Sequence, residues 1–586
     1  MTTMAQITSL RLPESWRSWR QRFMRGLMYG GDIDRGAKAR ARVGLAIVAF
    51  AAVYFIIAAR LVMFATVSDG RTAHRAVTGD AIATARPDIL DRNGEVLATD
   101  VRVPSLYGEP RRLIDVDEAV ELLTADLPDL DANELRERLS SKRGFVWLKR
   151  DITPEQQREI YRQGLPGIGF LNENKRDYPN GPEVSHLLGH VNVDNQGIAG
   201  MEKWLDGHGL AALHLAGLAT DRLQNPVELA VDLRVQHALR DELVTARTKF
   251  KALAAAGIVL DVHTGEVVAM VSEPDYDPNN PHEALDPTRI NRLTTGVYEM
   301  GSTFKAFTIA MALDSGKFTL QSTVDAHGPM HVGRFQIHDF EPENRMLSVP
   351  EIFTYSSNIG AARTALAVGV EAHKTFLRKM GQLDRLRTEL PESAEPIVPK
   401  HWGDLNTITI AFGHGLSVAP LQALMGVAAL MNGGLLIPPT FLKRTEAEAR
   451  ALGKQVIKPQ TSEMMRYLMR LNVEKGTARK ADIPGYYIGG KTGTADKVIN
   501  GHYSKASVLT DFMAIIPADQ PRYLLLIMLD DPKVLPETHG FKTSGWNAVP
   551  VGGAVVSRIA PLLGIEPRLH LPDADHLILA SLKESR

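Results

Sequence analysis

The sequence predicts a mixed α/β (α+β) protein in which a single N-terminal membrane helix precedes an outer part of two or more domains. Three observations carry this expectation. The run from Val43 to Ala59 holds no charge, and no second comparable run follows it. The 586 residues exceed what one hydrophobic core can organise. Short strand-like runs near the end of the chain are linked by Gly, Pro and polar residues, and a sheet with helices on it is their simplest assembly.

Composition narrows the function classes. Charged residues make up 23% and apolar ones 44%, as in ordinary globular proteins. Lys plus Arg (67) nearly balance Asp plus Glu (68), so no chain-wide basic field exists to hold nucleic acid. The absence of cysteine excludes disulfides, thiolate zinc sites, iron–sulfur clusters and a Cys nucleophile. Covalent catalysis, if present, must use another residue.

The apolar run VGLAIVAFAAVYFIIAA would span ~25 Å as a helix. It resumes as LVMFATV after Arg60, a residue able to snorkel to the headgroups, so the anchor is taken as residues 43–67. Residues 1–42 hold nine Arg and Lys, Arg11 to Arg42, against Glu14, Asp32 and Asp34, and the positive-inside rule keeps such a tail cytoplasmic. A cleaved signal peptide has a much shorter leader, and no convincing A-x-A site follows the apolar run. Everything beyond about residue 68 is therefore expected outside the cytoplasm.

Residues 68–225 read as a mixed segment. RPDILDRNGEVLATD (Arg86 to Asp100) alternates around Asn93-Gly94, a hairpin-turn signal. Charged helical runs follow at Val116 to Leu127 and Thr153 to Gly164, the latter opening on Thr-Pro with an acidic first turn. Leu223 to Pro226 looks like a boundary, and 226–586 forms a second domain. There, GIVLDV and EVVAMVS flank His263-Thr264-Gly265 as a hairpin. A helix is expected from Ser302 to a stop at Gly316, and YYIGGKTGTA, SVLTDFMAIIP and YLLLIMLD read as strands.

Candidate chemistry centres on Ser302-Thr303-Phe304-Lys305. At a helix start, positions three apart share a face, which places the Lys305 amine beside the Ser302 hydroxyl. A serine is a weak nucleophile. A lysine buried near another cation can be neutral and accept its proton, and the helix N-terminus offers partial positive charge to an oxyanion. Alone, S-x-x-K reads more simply as a capping serine with a surface lysine. Two further motifs change that weighting. Ser356-Ser357-Asn358 offers a relay hydroxyl and an amide, and Lys491-Thr492-Gly493-Thr494 offers a cation and hydroxyls for a carboxylate, with Gly493 permitting close backbone approach.

Other signals take the ordinary reading. His186 and His190 in HLLGH have metal-ligand spacing but lack the glutamate of H-E-x-x-H, so no metal is assigned. Gly413-His414-Gly415 is not part of a G-x-G-x-x-G sequence, and no cofactor is expected. Asp275-Tyr276-Asp277 and Asp530-Asp531 sit in turn-like contexts where solvated carboxylates are normal.

The order S-x-x-K, S-x-N, K-T-G is that of β-lactamases and penicillin-binding proteins. The chain resembles class B penicillin-binding proteins from about Arg86 to Pro550, through DRNGEVLA (Asp91 to Ala98), RDYPNG and the later GMEKWLD (Arg176 to Asp206), and DLRVQ (Asp232 to Gln236). YEMGSTFK (Tyr298 to Lys305), FGHGLSVAPLQ (Phe412 to Gln422) and ALMNGG (Ala429 to Gly434) look most like the division-specific FtsI family, with the elongation-specific branch as the alternative. Met300 stands where many relatives have proline, and Pro87 where the R-G-x-I-x-D-R-N-G pattern has glycine.

The resemblance implies a noncatalytic pedestal (68–225) carrying a transpeptidase domain (226–586) whose antiparallel sheet lies between helical layers. It implies a peptidoglycan stem peptide ending in D-Ala-D-Ala as substrate. Ser302 would attack the penultimate carbonyl, Lys305 serve as base, Ser356 relay a proton to the departing D-Ala, and Asn358 bind the peptide backbone. Lys491 and Thr494 would hold the terminal carboxylate, with Thr492 and Gly493 in the same substrate-binding strand, and the amides of Ser302 and Thr494 would form the oxyanion hole. β-Lactams would acylate Ser302. An FtsW-type membrane glycosyltransferase and other division proteins are the implied partners, at the inner membrane with the catalytic domain periplasmic. The rivals are a D,D-carboxypeptidase or β-lactamase, which give the acyl group to water, and a nonenzymatic β-lactam receptor or division scaffold.

Overall fold

The computed structural model describes residues 35–66, 85–210 and 225–578, apart from positions 334 and 500. The first stretch is one 32-residue helix, α1 (Arg35–Thr66). Its apolar segment from Val43 to Ala58 is exposed throughout, with Phe55 at 75%. Among the described residues, whose side chains in α1 run only from Val43 to Ala58, no helix is long and apolar enough to cross a membrane. Residues 1–34, most of the basic tail, lie outside the described residues, as does the expected boundary up to position 224.

The second unit begins with the expected hairpin. β1 (Ile89–Leu90) pairs antiparallel with β2 (Val96–Gly108), and Gly94 takes the positive φ, 89°, that the turn requires. Buried Asp91 holds this turn through the amides of Asn93 and Glu95, and its other oxygen accepts the amide of Leu233 from the following domain. Helices α2 (Val116–Asp126) and α3 (Ala132–Leu139) start on capping aspartates, Asp115 and Asp131. After β3 (Val146–Lys149), α4 (Pro154–Gln163) opens on a Thr153/Gln156 capping box and stops at Gly164, whose φ is 65°. β4 (Ile168–Asp177) pairs with β2, and β5 (Val227–Glu228) adds to β1 in parallel. Leu106, Leu123, Leu135 and Ile160 make this pedestal's own apolar core.

A buried ionic cluster ties distant segments of this N-terminal domain together. Glu202 accepts from Arg86 at 2.7 Å and from Arg176 at 2.6 Å, and all three side chains are inaccessible to solvent. Arg176 also reaches the carbonyl of Pro87, so proline at this position still serves the cluster through its backbone. The HLLGH segment does not carry its two histidines on one helix. The short helix Ser185–Leu188 ends at Gly189, φ 72°, and His186 and His190 pack edge-on against Tyr276 instead.

The C-terminal domain is built on one antiparallel sheet. α5 (Leu233–Lys249) leads into β6 (Ala254–Asp261) and β7 (Val267–Glu273), joined at Gly265 as expected. The helices α6 (Lys305–Asp314), α7 (Val349–Thr354), α8 (Asn358–Val368), α9 (Pro420–Met431) and α10 (Pro459–Lys475) follow. β8 (Gly489–Ile499), β9 (His502–Ile516) and β10 (Tyr523–Asp530) complete the sheet before α11 (Ala548–Leu562). Strand order is β8-β9-β10-β6-β7.

β6 and most of β10 are buried on both faces, which explains why GIVLDV and YLLLIMLD read as continuous apolar runs rather than alternating ones. Ala255 and Val259 join a core with Leu239 of α5 and Val555 of α11, whereas Ile258 and Leu260 face Phe307 of α6 and Leu424 of α9. The sheet therefore lies between two helical layers.

Candidate active site

Ser302 lies where α6 meets the edge strand β8. The chain enters through Gly301, φ 54°, and a Cβ there would sit 2.7 Å from the carbonyl oxygen of Thr494, so only glycine lets the turn press against the strand. The helix expected at Ser302 begins one turn later. Gly301–Phe304 is a 3-10 turn and Lys305 is the first α-helical residue. A 3-10 turn nearly eclipses side chains three apart, which serves the pairing more directly than an α-helical start. Thr303 pins the turn by donating to the carbonyl of Met300, which is fully buried.

The Lys305 ammonium is held at the centre of the site. It lies 2.8 Å from Ser302 Oγ, 2.7 Å from the Ser356 carbonyl, 3.1 Å from Ser356 Oγ and 2.7 Å from Asn358 Oδ1. Burial pushes its pKa well below the usual lysine range, and the nearby Lys491 charge pushes it further, while Asp339 opposes. Lys305 thus has the surroundings of a proton acceptor.

The S-x-N segment is delivered by a break between two helices. α7 starts on a Ser348/Glu351 capping box, and α8 starts on Ser357, whose hydroxyl accepts the amide of Gly360. Between them Ser356 adopts φ 57°, an uncommon conformation for a residue with a side chain, and this turns its hydroxyl toward both lysines. Asn358 accepts from Lys305 and donates its amide to the carbonyl of His338.

β8 supplies the opposite wall. Lys491 Nζ lies 3.1 Å from Ser356 Oγ and 5.6 Å from the centre of the Phe353 ring. Burial pushes its pKa down to about 7, with Asp511 pulling the other way. The Thr492 hydroxyl pairs with Thr477 at 2.7 Å and so ties β8 to the end of α10. Thr494 remains partly accessible, its hydroxyl accepting the amide of Ser544. The three sequence-distant motifs thus meet at one place, with Ser356 Oγ between the two ammonium groups.

Two residues of this neighbourhood escaped the motif reading. Asp339 accepts from the Ser357 hydroxyl at 2.6 Å and from the amides of Asn358 at 2.5 Å and Ile359 at 3.0 Å, and so holds the whole S-x-N turn. Nothing in the local sequence marks it, because its partners lie about twenty residues away. Asp511, on β9 opposite Gly493, is fully buried, and burial pushes its carboxyl well above the usual range. Its signal was present: a single acid inside the apolar run SVLTDFMAIIP.

Among the described residues no group of three or more His, Asp and Glu side chains is placed to hold a metal ion. His414 is near the site, but burial, aided by Lys305, lowers its pKa to about 4, which leaves it neutral at physiological pH.

Comparison with known proteins gives concordant matches. Residues 255–548 match the family model described as the penicillin binding protein transpeptidase domain, and residues 81–204 match the penicillin-binding protein dimerisation domain. The chain is 39% identical over 497 residues to the probable peptidoglycan D,D-transpeptidase FtsI of Caulobacter vibrioides, covering 83% of each. It is 30% identical to the peptidoglycan D,D-transpeptidase FtsI of Escherichia coli K12, covering 84% of this chain and 86% of that one. A crystal structure of penicillin binding protein 3 from Mycobacterium tuberculosis, complexed with aztreonam, superposes with a TM-score of 0.63 at 23% identity, covering 83% of this chain and 98% of that chain, and shares the fold.

Proposed function

The chain belongs to the class B penicillin-binding proteins of the FtsI family, and from that premise we infer that it is a serine-type peptidoglycan D,D-transpeptidase that crosslinks stem peptides during septal wall synthesis in cell division. The observation that carries the reading of the site is the Lys305 ammonium, 2.8 Å from Ser302 Oγ and 3.1 Å from Ser356 Oγ.

Neutral Lys305 takes the Ser302 proton as Oγ bonds to the penultimate D-Ala carbonyl carbon. The proton then passes by way of the Ser356 hydroxyl to the nitrogen of the terminal D-Ala, and that C–N bond breaks. Lys491, with Thr494 beside it, holds the donor's terminal carboxylate, and Asn358 orients the peptide. Gly493 lets the backbone approach, Thr492 fixes the strand, and the amides of Ser302 and Thr494 receive the oxyanion. The amine of a second stem peptide then displaces Ser302 Oγ, its proton returning through Lys305. A β-lactam follows the first half of this course and stays on Ser302.

The domain roles follow the same reading: a basic tail to residue 42, an anchor at 43–67, a noncatalytic pedestal at 68–225 and the transpeptidase from 226. A single-pass inner-membrane protein with its catalytic domain in the periplasm fits the exposed apolar face of α1. Pairing with an FtsW-type glycosyltransferase would supply the strands to be crosslinked.

The test is turnover of a D-Ala-D-Ala stem peptide with an added amine acceptor, followed by mass spectrometry of products. Crosslinked peptide, lost in Ser302→Ala, supports transpeptidation. Exclusive release of the hydrolysed donor would make the chain a carboxypeptidase.

A further inference from the structure

The transpeptidase reading leaves the buried Asp511 beside the K-T-G strand without a role. In the β8–β9 register Lys491 stands opposite Met513 and Gly493 opposite Asp511. Side chains directly opposite share a face of the sheet, as do residues two apart, so Lys491 and Asp511 are diagonal neighbours on one face. Between them the strand carries Gly493, and a Cβ there would lie only 2.1 Å from Asp511 Oδ2. The carboxyl thus occupies the space that the missing side chain leaves beneath the K-T-G backbone.

Both side chains are fully buried, and neither carboxyl oxygen of Asp511 has a partner within hydrogen-bond geometry. Its backbone is fixed by the Ser544 hydroxyl, which donates to the Asp511 carbonyl. An acid buried this deeply, with its nearest hydroxyl, that of Thr303, donating instead to the carbonyl of Met300, is costly and invites a reason for its presence. The ionisable groups around the pair are few. Lys305 repels Lys491 from the α6 side, Asp339 acts in turn on Lys305, and Lys305 acts on His414. Thr303, on the Ser302 turn, and Lys491 are the polar side chains that act on Asp511, and both favour its ionised form against the burial that opposes it.

We propose that Asp511 is a positioning residue that acts through Lys491, as the buried counter-charge that keeps this lysine cationic at the pH where the enzyme binds its donor carboxylate. The proposal rests on the reading of Lys491 as the carboxylate-holding group. Without an anion nearby, a fully buried ammonium beside a second lysine gives up its proton at lower pH. Asp511 therefore sets the alkaline limit of acylation. The effect is electrostatic, and no proton needs to pass between the two.

The test is the second-order rate of Ser302 acylation by benzylpenicillin from pH 6 to 9.5, on full-length wild type, Asp511→Asn, Asp511→Ser and Lys491→Ala, with melting temperatures at each pH. Both Asp511 variants should acylate near the wild-type rate at pH 6. Their alkaline limb should move down by about one unit, a loss of about tenfold at high pH. A limb that does not move, or a loss by the same factor at every pH, in the variants that fold overturns the proposal. Lys491→Ala separates the two claims: acylation at the wild-type rate would overturn the role of Lys491 itself, whereas slow acylation with an unmoved Asp511 limb overturns only the counter-charge.

Discussion

Asp339 accepts the hydroxyl of Ser357 at 2.6 Å, and this bond joins a loop of no regular structure to the turn that presents Ser356 and Asn358. The same carboxylate takes two amides at the start of α8, so it acts as a second N-cap beside that of Ser357. Asp339→Ala should leave those amides unpaired and loosen the S-x-N turn. The expected outcome is a loss of about 10- to 100-fold in β-lactam acylation with about 1–2 kcal/mol of stability, read by stopped-flow and denaturant melts. Asp339→Asn, which keeps one acceptor, should fall between.

Lys305 must be neutral to serve as base. Its folded pKa is depressed, so it loses its proton as pH rises through that lowered value, and acylation rises with it. The acid limb of the pH profile should therefore belong to Lys305 and lie well below the usual lysine pKa of 10.5. Lys305→Arg keeps the charge and cannot deprotonate, so it should lose about 10²–10⁴-fold at every pH on the scale. Retention of the limb in that variant would assign it to another group.

Gly301 combines a left-handed φ with contact against the Thr494 backbone. Gly301→Ala should cost about 1–3 kcal/mol and push the Ser302 turn away from β8. Reduced acylation out of proportion to the fraction unfolded is the expected signature, measured by mass spectrometry at a temperature where the variant is native.

In the pedestal, Glu202 is the shared acceptor of two buried arginines. Glu202→Ala leaves both without their principal counter-charge and should destabilise by about 3–5 kcal/mol. Because the cluster lies in the pedestal rather than among the catalytic side chains, the protein that remains folded should acylate at the wild-type rate, a split that thermal melts and acylation kinetics report separately.

Much of this molecule was legible in its sequence. Hairpin turns at Asn93-Gly94 and at Gly265 and the caps of α4 are set by residues adjacent in sequence, and all appear where their chemistry places them. The motif serines and lysines were legible because their spacing repeats a fixed chemistry. What stayed hidden depends on contacts between distant segments. Asp339 looks like any loop acid until α8 folds beneath it. HLLGH has helical spacing, yet Gly189 turns left-handed and ends the helix. The α-helix expected at Ser302 is replaced for one turn by a tighter 3-10 form, a difference decided by packing against β8 rather than by local propensity.

The central claim is that Ser302 forms the acyl-enzyme, and peptide mapping by mass spectrometry after brief incubation with benzylpenicillin tests it most directly. One adduct on the peptide carrying Ser302, persisting for many minutes and absent from Ser302→Ala, is the expected result. An adduct on another residue, or none on natively folded wild type, would contradict it.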